Sequence, residues 1–249
     1  MLRKLFTRTL RKSRASKLRD GVTQLRLEHL EARKLMAANI TAILDPISKV
    51  LQVEGTPGND TIEVRNNNGT ISIANVQIKN ASGAMVGQLP FGQTILVEVK
   101  SLGGNDKIRM VETNVTSQKQ IGLDAYGGDG IDFIVGGSAE DHLFGEGNDD
   151  WILGRGGMDR LWGGPGNDML SGGADDDFLH GESDNDELFG GQGRDQLFGD
   201  AGSDRLYAMG GSGENTVGGS EDDLLADMPT FTKQLVGDFN GDGKDDLAS

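Results

Sequence analysis

The sequence predicts an all-β fold, a solenoid of short strands stacked in parallel sheets, and three observations predict it. A nine-residue period comes first: nine consecutive units run without insertion from Gly127 to Tyr207, and fixed-period self-similarity marks stacked repeats. Glycine comes second, at 39 of 249 residues, about twice its usual share. Third, hydrophobic residues make up only 35% and aromatics 5%, so the core has to be thin and built from Leu, Ile and Val.

The stretch "GGPGNDMLSGGADDDFLH", residues 163–180, shows the unit twice. Its sixth place is always aspartate: Asp132, Asp141, Asp150, Asp159, Asp168, Asp177, Asp186, Asp195 and Asp204. Its eighth place is always aliphatic: Ile134, Leu143, Ile152, Leu161, Leu170, Leu179, Leu188, Leu197 and Leu206. Past Tyr207 the phase slips by Ala208 and Met209, and the weaker "GGSGENTV" and "GGSEDDLL" put Asn215 and Asp223 at the sixth place. Upstream, "GTPGNDTIEV" and "SLGGNDKIRM" are single repeat-like turns carrying Asp60 and Asp106, set among alternating strands such as "TISIANVQI" and "TILVEV". Residues 37–125 therefore read as longer, β-helix-like coils leading into an array at 126–225.

Two units make one turn of a flattened coil, each giving a glycine-rich bend over six places and a three-residue strand over three. In such a strand the eighth residue points inward and its neighbours point outward. Aspartates of alternate units then stack at the strand spacing of about 4.8 Å, where adjacent like charges repel by roughly 3 kcal/mol at an effective dielectric of about 20. Residues 127–207 hold nineteen Asp/Glu against Arg155, Arg160, Arg194 and Arg205. A lean core does not absorb that repulsion, whereas a divalent cation between turns does. Calcium suits the place best, taking six to eight oxygens from carboxylates and turn carbonyls. Magnesium wants a tighter octahedron, and zinc wants the His and Cys of which this chain has three and none. A disordered Gly/Asp linker has the same low hydrophobicity but no reason to keep one aliphatic residue in every nine.

These residues resemble the RTX (repeat-in-toxin) calcium-binding nonapeptide "GGxGxDxUx", in which U is aliphatic. The resemblance implies a calcium-filled parallel β-roll in a secreted or cell-surface protein. It also implies that the nine sixth-place aspartates ligate the ions together with bend carbonyls; Asp60, Asp106 and Asp223 are the corresponding candidates in the outlying units. At the fourth place glycine gives way to Ala139, Asn148, Asp175 and Asp184. Asn and Asp tolerate left-handed geometry and Ala does so poorly, so the bend at Ala139 is expected to hold a weaker ion or none.

The two ends differ from the array. Residues 1–36 carry eleven Lys/Arg against Asp20, Glu28 and Glu31, a net +8, which leaves the rest at -23 within a total of -15. In this segment "LEHLEARKLMA" is helix-prone and resembles the LEPR-XLL element of exported bacterial proteins, with Ala32 in place of that family's proline. It lacks the apolar run of an ordinary secretory signal, and the alternative is a basic amphipathic helix on anionic lipid. At the far end, "DFNGDGKDD" sets Asp238, Asn240, Asp242 and Asp246 around Gly243 as a calcium loop. Ser249 stands where a complete EF-hand has glutamate, and the stretch resembles one FG-GAP (integrin-type propeller) repeat. A single repeat cannot close a propeller, so the loop belongs to a longer chain or is a lone clip. "GDGK" is not a phosphate loop, because Asp245 stands where Ser or Thr is required.

An acidic body repels nucleic acid and anionic membranes and gathers cations. No run of 18 apolar residues exists, so no transmembrane span is expected. The absence of cysteine excludes disulfides and thiolate metal sites. His29, His142 and His180 fit no zinc-protease or nucleophile pattern and read as surface histidines. Trp151 and Trp162 take outward places where a ring can stack on a cell-surface glycan or protein partner; packing against a neighbour is the expected outcome. The resulting expectation is an exported, non-enzymatic calcium-binding protein whose roll folds on binding Ca2+, with a structural or adhesive role. The alternative is a secreted hydrolase or lyase that uses the repeats as a folding appendage and keeps its active site within residues 37–125. The family's C-terminal secretion signal is not recognisable, which leaves the export route open.

Overall fold

The computed structural model describes residues 40–208 except 77, 81, 91–95 and 117, and beyond them the backbone of four three-residue strands. Residues 1–36, with the expected basic helix and His29, lie outside the described residues, as do Asp223, Asp238, Asn240 and Asp242.

Among the described residues every regular element is a strand. The lead-in supplies β1 (Thr41–Leu44), β2 (Val50–Glu54), β3 (Thr61–Asn67), β4 (Thr70–Ile73), β5 (Ile78–Asn80), β6 (Met85–Gly87), β7 (Leu96–Lys100) and β8 (Lys107–Thr113). The repeats supply β9 (Gly122–Asp129), β10 (Phe133–Val135), β11 (His142–Gly147), β12 (Trp151–Gly156), β13 (Arg160–Pro165) and β14 (Met169–Ala174). They continue with β15 (Phe178–Ser183), β16 (Glu187–Gln192), β17 (Gln196–Ala201) and β18 (Arg205–Tyr207). The terminal strands are β19 (Asn215–Val217), β20 (Leu224–Ala226), β21 (Leu235–Gly237) and β22 (Asp246–Ala248).

Odd and even repeat strands sort into separate sheets. One sheet runs β19-β17-β15-β13-β11-β9-β7-β2-β1-β5-β6, the other β20-β18-β16-β14-β12-β10-β8-β3-β4. Repeat strands pair in parallel at a register of eighteen residues, as in Leu143↔Leu161 and Ile152↔Leu170. This is a parallel β-roll. Its sheets pass without a break from the repeats into the lead-in, where β9 pairs β7, β7 pairs β2, β10 pairs β8 and β8 pairs β3, all in parallel. Antiparallel strands close the first coils: β1 on β2 and β4 on β3.

The eighth-place column is the core. Ile134, Leu143, Ile152, Leu161, Leu170, Leu179, Leu188 and Leu197 are all fully buried. The row continues through Ile108 and Ile62 in one sheet and through Ala125, Val99 and Val53 in the other. Each coil contributes so few apolar groups because burial at about 25 cal/mol per Å² is available only to the single residue that faces the opposite sheet.

Two expectations need correcting. The repeat strands are mostly six residues long, not three. The ladder runs on into the glycine bend, with pairs such as Arg155↔Gly173 and Gly156↔Ala174, because flat glycine backbones let successive coils remain in contact. One unit is also one residue out of the expected phase: Asn215 pairs with seventh-place Gln196 and Thr216 with Leu197, whereas the next strand returns to phase, Leu225 pairing with eighth-place Leu206. Backbone pairing fixed that register, and the sixth place proposed for Asn215 is not where the strand puts it.

Candidate metal centre

Every sixth-place aspartate from Asp106 to Asp204 is buried, at most 2% exposed. The coil geometry sorts them into two columns. In one, the N–H of Asp60 donates to Asp106 Oδ1 at 2.6 Å, that of Asp106 to Asp132 at 2.7 Å, that of Asp132 to Asp150 at 2.7 Å and that of Asp150 to Asp168 at 2.7 Å. The same column continues from Asp168 to Asp186 and from Asp186 to Asp204, at 2.8 Å each. The second column runs from Leu123 N–H to Asp141, then Asp159, Asp177 and Asp195, at 2.7, 2.9, 2.8 and 3.0 Å. The candidate residues Asp60 and Asp106 therefore join the first column in register with the repeats. Asp246 begins β22, in a separate antiparallel pair with β21.

Each carboxylate thus spends Oδ1 on the backbone of the preceding coil. In Asp106, Asp132, Asp150, Asp159, Asp168, Asp177 and Asp186 the other oxygen, Oδ2, is buried and accepts no hydrogen bond. A buried oxygen left without a partner is costly. Burial accordingly pushes the carboxyls up: Asp132 to about 6, Asp168 and Asp177 to about 7, Asp150 and Asp186 to about 8, and Asp159 to about 9, where the Asp141 charge adds to the effect. These groups call for a proton or a cation.

The bend shapes the space beside Oδ2. A methyl group at first-place Gly127 would overlap both Asp132 Oδ2 and the Gly145 carbonyl of the next coil, and the same holds at Gly145 against Asp150 and Gly163. Only glycine lets carboxylate and carbonyl oxygens crowd together there. Second-place residues adopt left-handed φ between 68° and 121°, and fourth-place residues between 75° and 158°, in every unit but one. Asn148, Asp175 and Asp184 take φ of 76°, 78° and 75° in place of glycine. The exception is the unit 136–144: Gly137 and Ala139 are absent from the left-handed set, and Gly137 N–H donates to Asp141 Oδ2 at 2.6 Å. Ala139 does not strain into the bend; the bend changes shape around it.

Among the described residues no three His, Asp or Glu side chains gather so as to hold a metal ion. A cation in the roll would therefore take one carboxylate per turn and draw its other ligands from carbonyls, a donor set of hard oxygens that fits calcium. The comparison with known families supports calcium. Residues 126–161, 153–188 and 180–217 match the RTX calcium-binding nonapeptide repeat. That stretch is similar to RTX repeats over less than half of the chain. No curated protein and no solved structure matches the chain. RTX repeats bind Ca2+, and as a structural motif they are not catalytic machinery.

Other residues of the roll brace it. A fifth-place ladder, not anticipated from the sequence, runs opposite to the aspartate ladder. Asn167 N–H donates to Asp149 Oδ1 at 2.8 Å, Asn185 N–H to Asn167 at 3.2 Å and Ser203 N–H to Asn185 at 2.9 Å. Its signal was legible as Asn or Asp at the fifth place of alternate units. On one face the ninth-place rings stack: Tyr126 on Phe144 at 4.7 Å, Phe144 on Trp162 at 4.5 Å and His180 on Phe198 at 4.5 Å. Trp162 packs as expected, whereas Trp151 is 54% exposed, its ring lying edge-on to Phe133 with centroids 6.5 Å apart. His142 and His180 are more engaged than surface residues need be. His142 Nδ1 lies 3.0 Å from Asp124, and His180 Nδ1 lies 2.6 Å from Asp200. No helix among the described residues is long and apolar enough to cross a membrane.

Proposed function

We propose that the chain is an exported calcium-binding protein whose acidic roll folds on binding Ca2+, with a structural or adhesive role at the cell surface or outside the cell. The observation that carries this reading is the column of buried Oδ2 atoms left without a hydrogen-bond donor. A fold that holds such a column is stabilised by whatever binds the native state alone, in proportion to ligand concentration over dissociation constant. Where calcium is scarce, the single aliphatic row faces the buried charges unaided; where calcium is abundant, the columns fill.

Export is supported by the basic segment at residues 1–36, whose "LEHLEARKLMA" resembles an export element. The adhesive role is supported by a surface cleft of about 690 Å³ lined by Trp151, Phe133, Lys107, Arg109 and Glu63, where aromatic and charged groups stand side by side as in sites that stack a sugar ring or a partner's side chain. Fractionation of cells producing the full chain tests the reading. It expects the protein outside the cell or on its surface, protease-resistant in calcium and cleaved in chelator. Recovery from the cytoplasm in a form resistant under both conditions would overturn it.

A further inference from the structure

The outward face of the sheet that holds β10 and β12 changes character where the lead-in meets the repeats. Lys107, Phe133 and Trp151 stand side by side in register on β8, β10 and β12, and Glu63 faces Arg109 in the adjoining row across β3 and β8. They line the cleft of about 690 Å³, a volume within the range of about 300–1,000 Å³ that holds a small ligand or a short piece of a longer one. Trp151 is edge-on to Phe133 and more than half exposed, and the lining residue Ile131 is 52% exposed. Ring and aliphatic surface are therefore open to solvent beside the cations.

The charge of this place is opposite to that of the body. Glu63 accepts from Nε and Nη2 of Arg109 and from Nε of Arg65, so one carboxylate holds two guanidinium groups. Lys107 is exposed, and its ammonium enters no ion pair among the described residues. Three cations thus stand against one carboxylate, whereas residues 127–207 hold nineteen Asp/Glu against four Arg. Asp106 and Asp132 also line the cleft, but they are at most 2% exposed and their carboxylates accept backbone N–H groups within their own column. An anion that the rest of the roll repels finds its complement here. A peptide strand is a poor occupant: β8 and β10 are paired on both sides and leave no edge to extend. Recognition falls to side chains alone.

We propose that the cleft binds an anionic glycan, a chain of sugars carrying carboxylate or sulfate groups. One sugar ring lays its apolar C–H face on Trp151, with Ile131 and Phe133 extending the apolar surface. The acid groups pair with Lys107 and with the part of the Arg109 guanidinium that Glu63 leaves open. Lys107 and Trp151 are two strands apart, about 10 Å at the spacing of the sheet, so a short run of sugars along the row meets both. The glycan class rests on the adhesive role proposed above and narrows it to one kind of partner.

Titration calorimetry of the full chain in saturating calcium tests it. The probes are a carboxylated oligosaccharide from hyaluronan, a sulfated one from heparin, a neutral cello-oligosaccharide and poly-glutamate. The basic segment at residues 1–36 attracts any polyanion, so the quantity that decides is the binding lost in Trp151→Ala. For at least one acidic sugar that variant is expected to bind about tenfold more weakly, Trp151→Phe to recover most of the loss, and Lys107→Gln to bind severalfold more weakly with a shallower salt dependence. Arg160→Ala, on the opposite sheet, is expected to change nothing. Acidic-sugar binding that is indifferent to Trp151 and Lys107 overturns the glycan site, and so does an equal dependence on Trp151 for the neutral sugar or for poly-glutamate. Should Trp151→Ala not fold, tryptophan fluorescence of the parent decides: a change with an acidic sugar, smaller in Lys107→Gln and absent with the neutral one, supports the site, and no change overturns it. Export is tested separately by fractionation, so either reading can fall while the other stands.

Discussion

The backbone N–H of Asp132 donates to the carboxylate of Asp150 at 2.7 Å, eighteen residues away in sequence and one coil away in space. One oxygen of each aspartate therefore works as a rung of the roll, and the other is left for an ion. A substitution can separate these two duties, because asparagine keeps the acceptor and drops the charge.

Asp168→Asn is expected to weaken calcium binding and yet stabilise the metal-free roll, since Asp150 N–H keeps its acceptor and a buried charge is gone. Asp168→Ala removes the acceptor as well and costs about 1–3 kcal/mol in calcium. Urea unfolding of both variants, each with calcium and with chelator, checks the crossover; a loss of stability for Asp168→Asn in chelator contradicts it.

Acid and calcium should substitute for each other. Asp132, Asp141, Asp150, Asp159, Asp168, Asp177 and Asp186 have folded-state values raised by burial from the ordinary 3.8 to between about 6 and about 9. A raised carboxyl binds its proton more tightly when folded, so its contribution to metal-free stability is complete below the ordinary value. That contribution is lost as pH rises through the folded values. In chelator, strand content monitored by circular dichroism is therefore expected to be highest in mild acid and to fall on going to alkaline pH. With calcium the trend reverses, because protons compete for the same oxygens. Metal-free strand content that rises with pH contradicts the account.

Two glycines seven residues apart, Gly156 and Gly163, should respond differently. A Cβ at Gly163 would overlap Asp168 Oδ2 and come within 2.8 Å of the Gly181 carbonyl, whereas a Cβ at Gly156 meets nothing within 4 Å. Gly163→Ala is expected to remove an ion and lower the calcium-bound melting temperature by several degrees, and Gly156→Ala to leave both nearly unchanged. Calorimetric melting with ion counting separates them.

The aliphatic column has no spare members. Leu170 is fully buried between Ile152 and Leu188, so Leu170→Ala is expected to cost about 2–5 kcal/mol. Trp151→Ala, on the exposed face, is expected to cost well under that. Denaturation in saturating calcium measures both, and equal losses would contradict the assignment of inside and outside.

Much of this was legible in the sequence because the period is strict. Nine aspartates and nine aliphatics in two columns give the coil, the core and the stacking of alternate carboxylates, and Ala139 marked the one unit whose bend departs from the rest. The two duties of each carboxylate were not legible, since a pattern names the residue and not which oxygen meets which amide. The ending of one column at Leu123 was hidden because the lead-in changes its coil length: Asp60 to Asp106 and Asp106 to Asp132 are 46 and 26 residues apart in place of 18. The phase of Asn215 was misread for a related reason, since a slip of the chain outside a strand leaves only backbone pairing to restore register.

The central claim is that cations hold the stacked carboxylates together. Small-angle scattering and circular dichroism of the full chain, at a pH well above neutral so that protons cannot stand in, test it most directly. Adding calcium to chelated protein is predicted to shrink an expanded chain to the compact dimensions of a roll, with strand signal gained in step and lost again on re-chelation. A chelated sample that is already compact and strand-rich would contradict it.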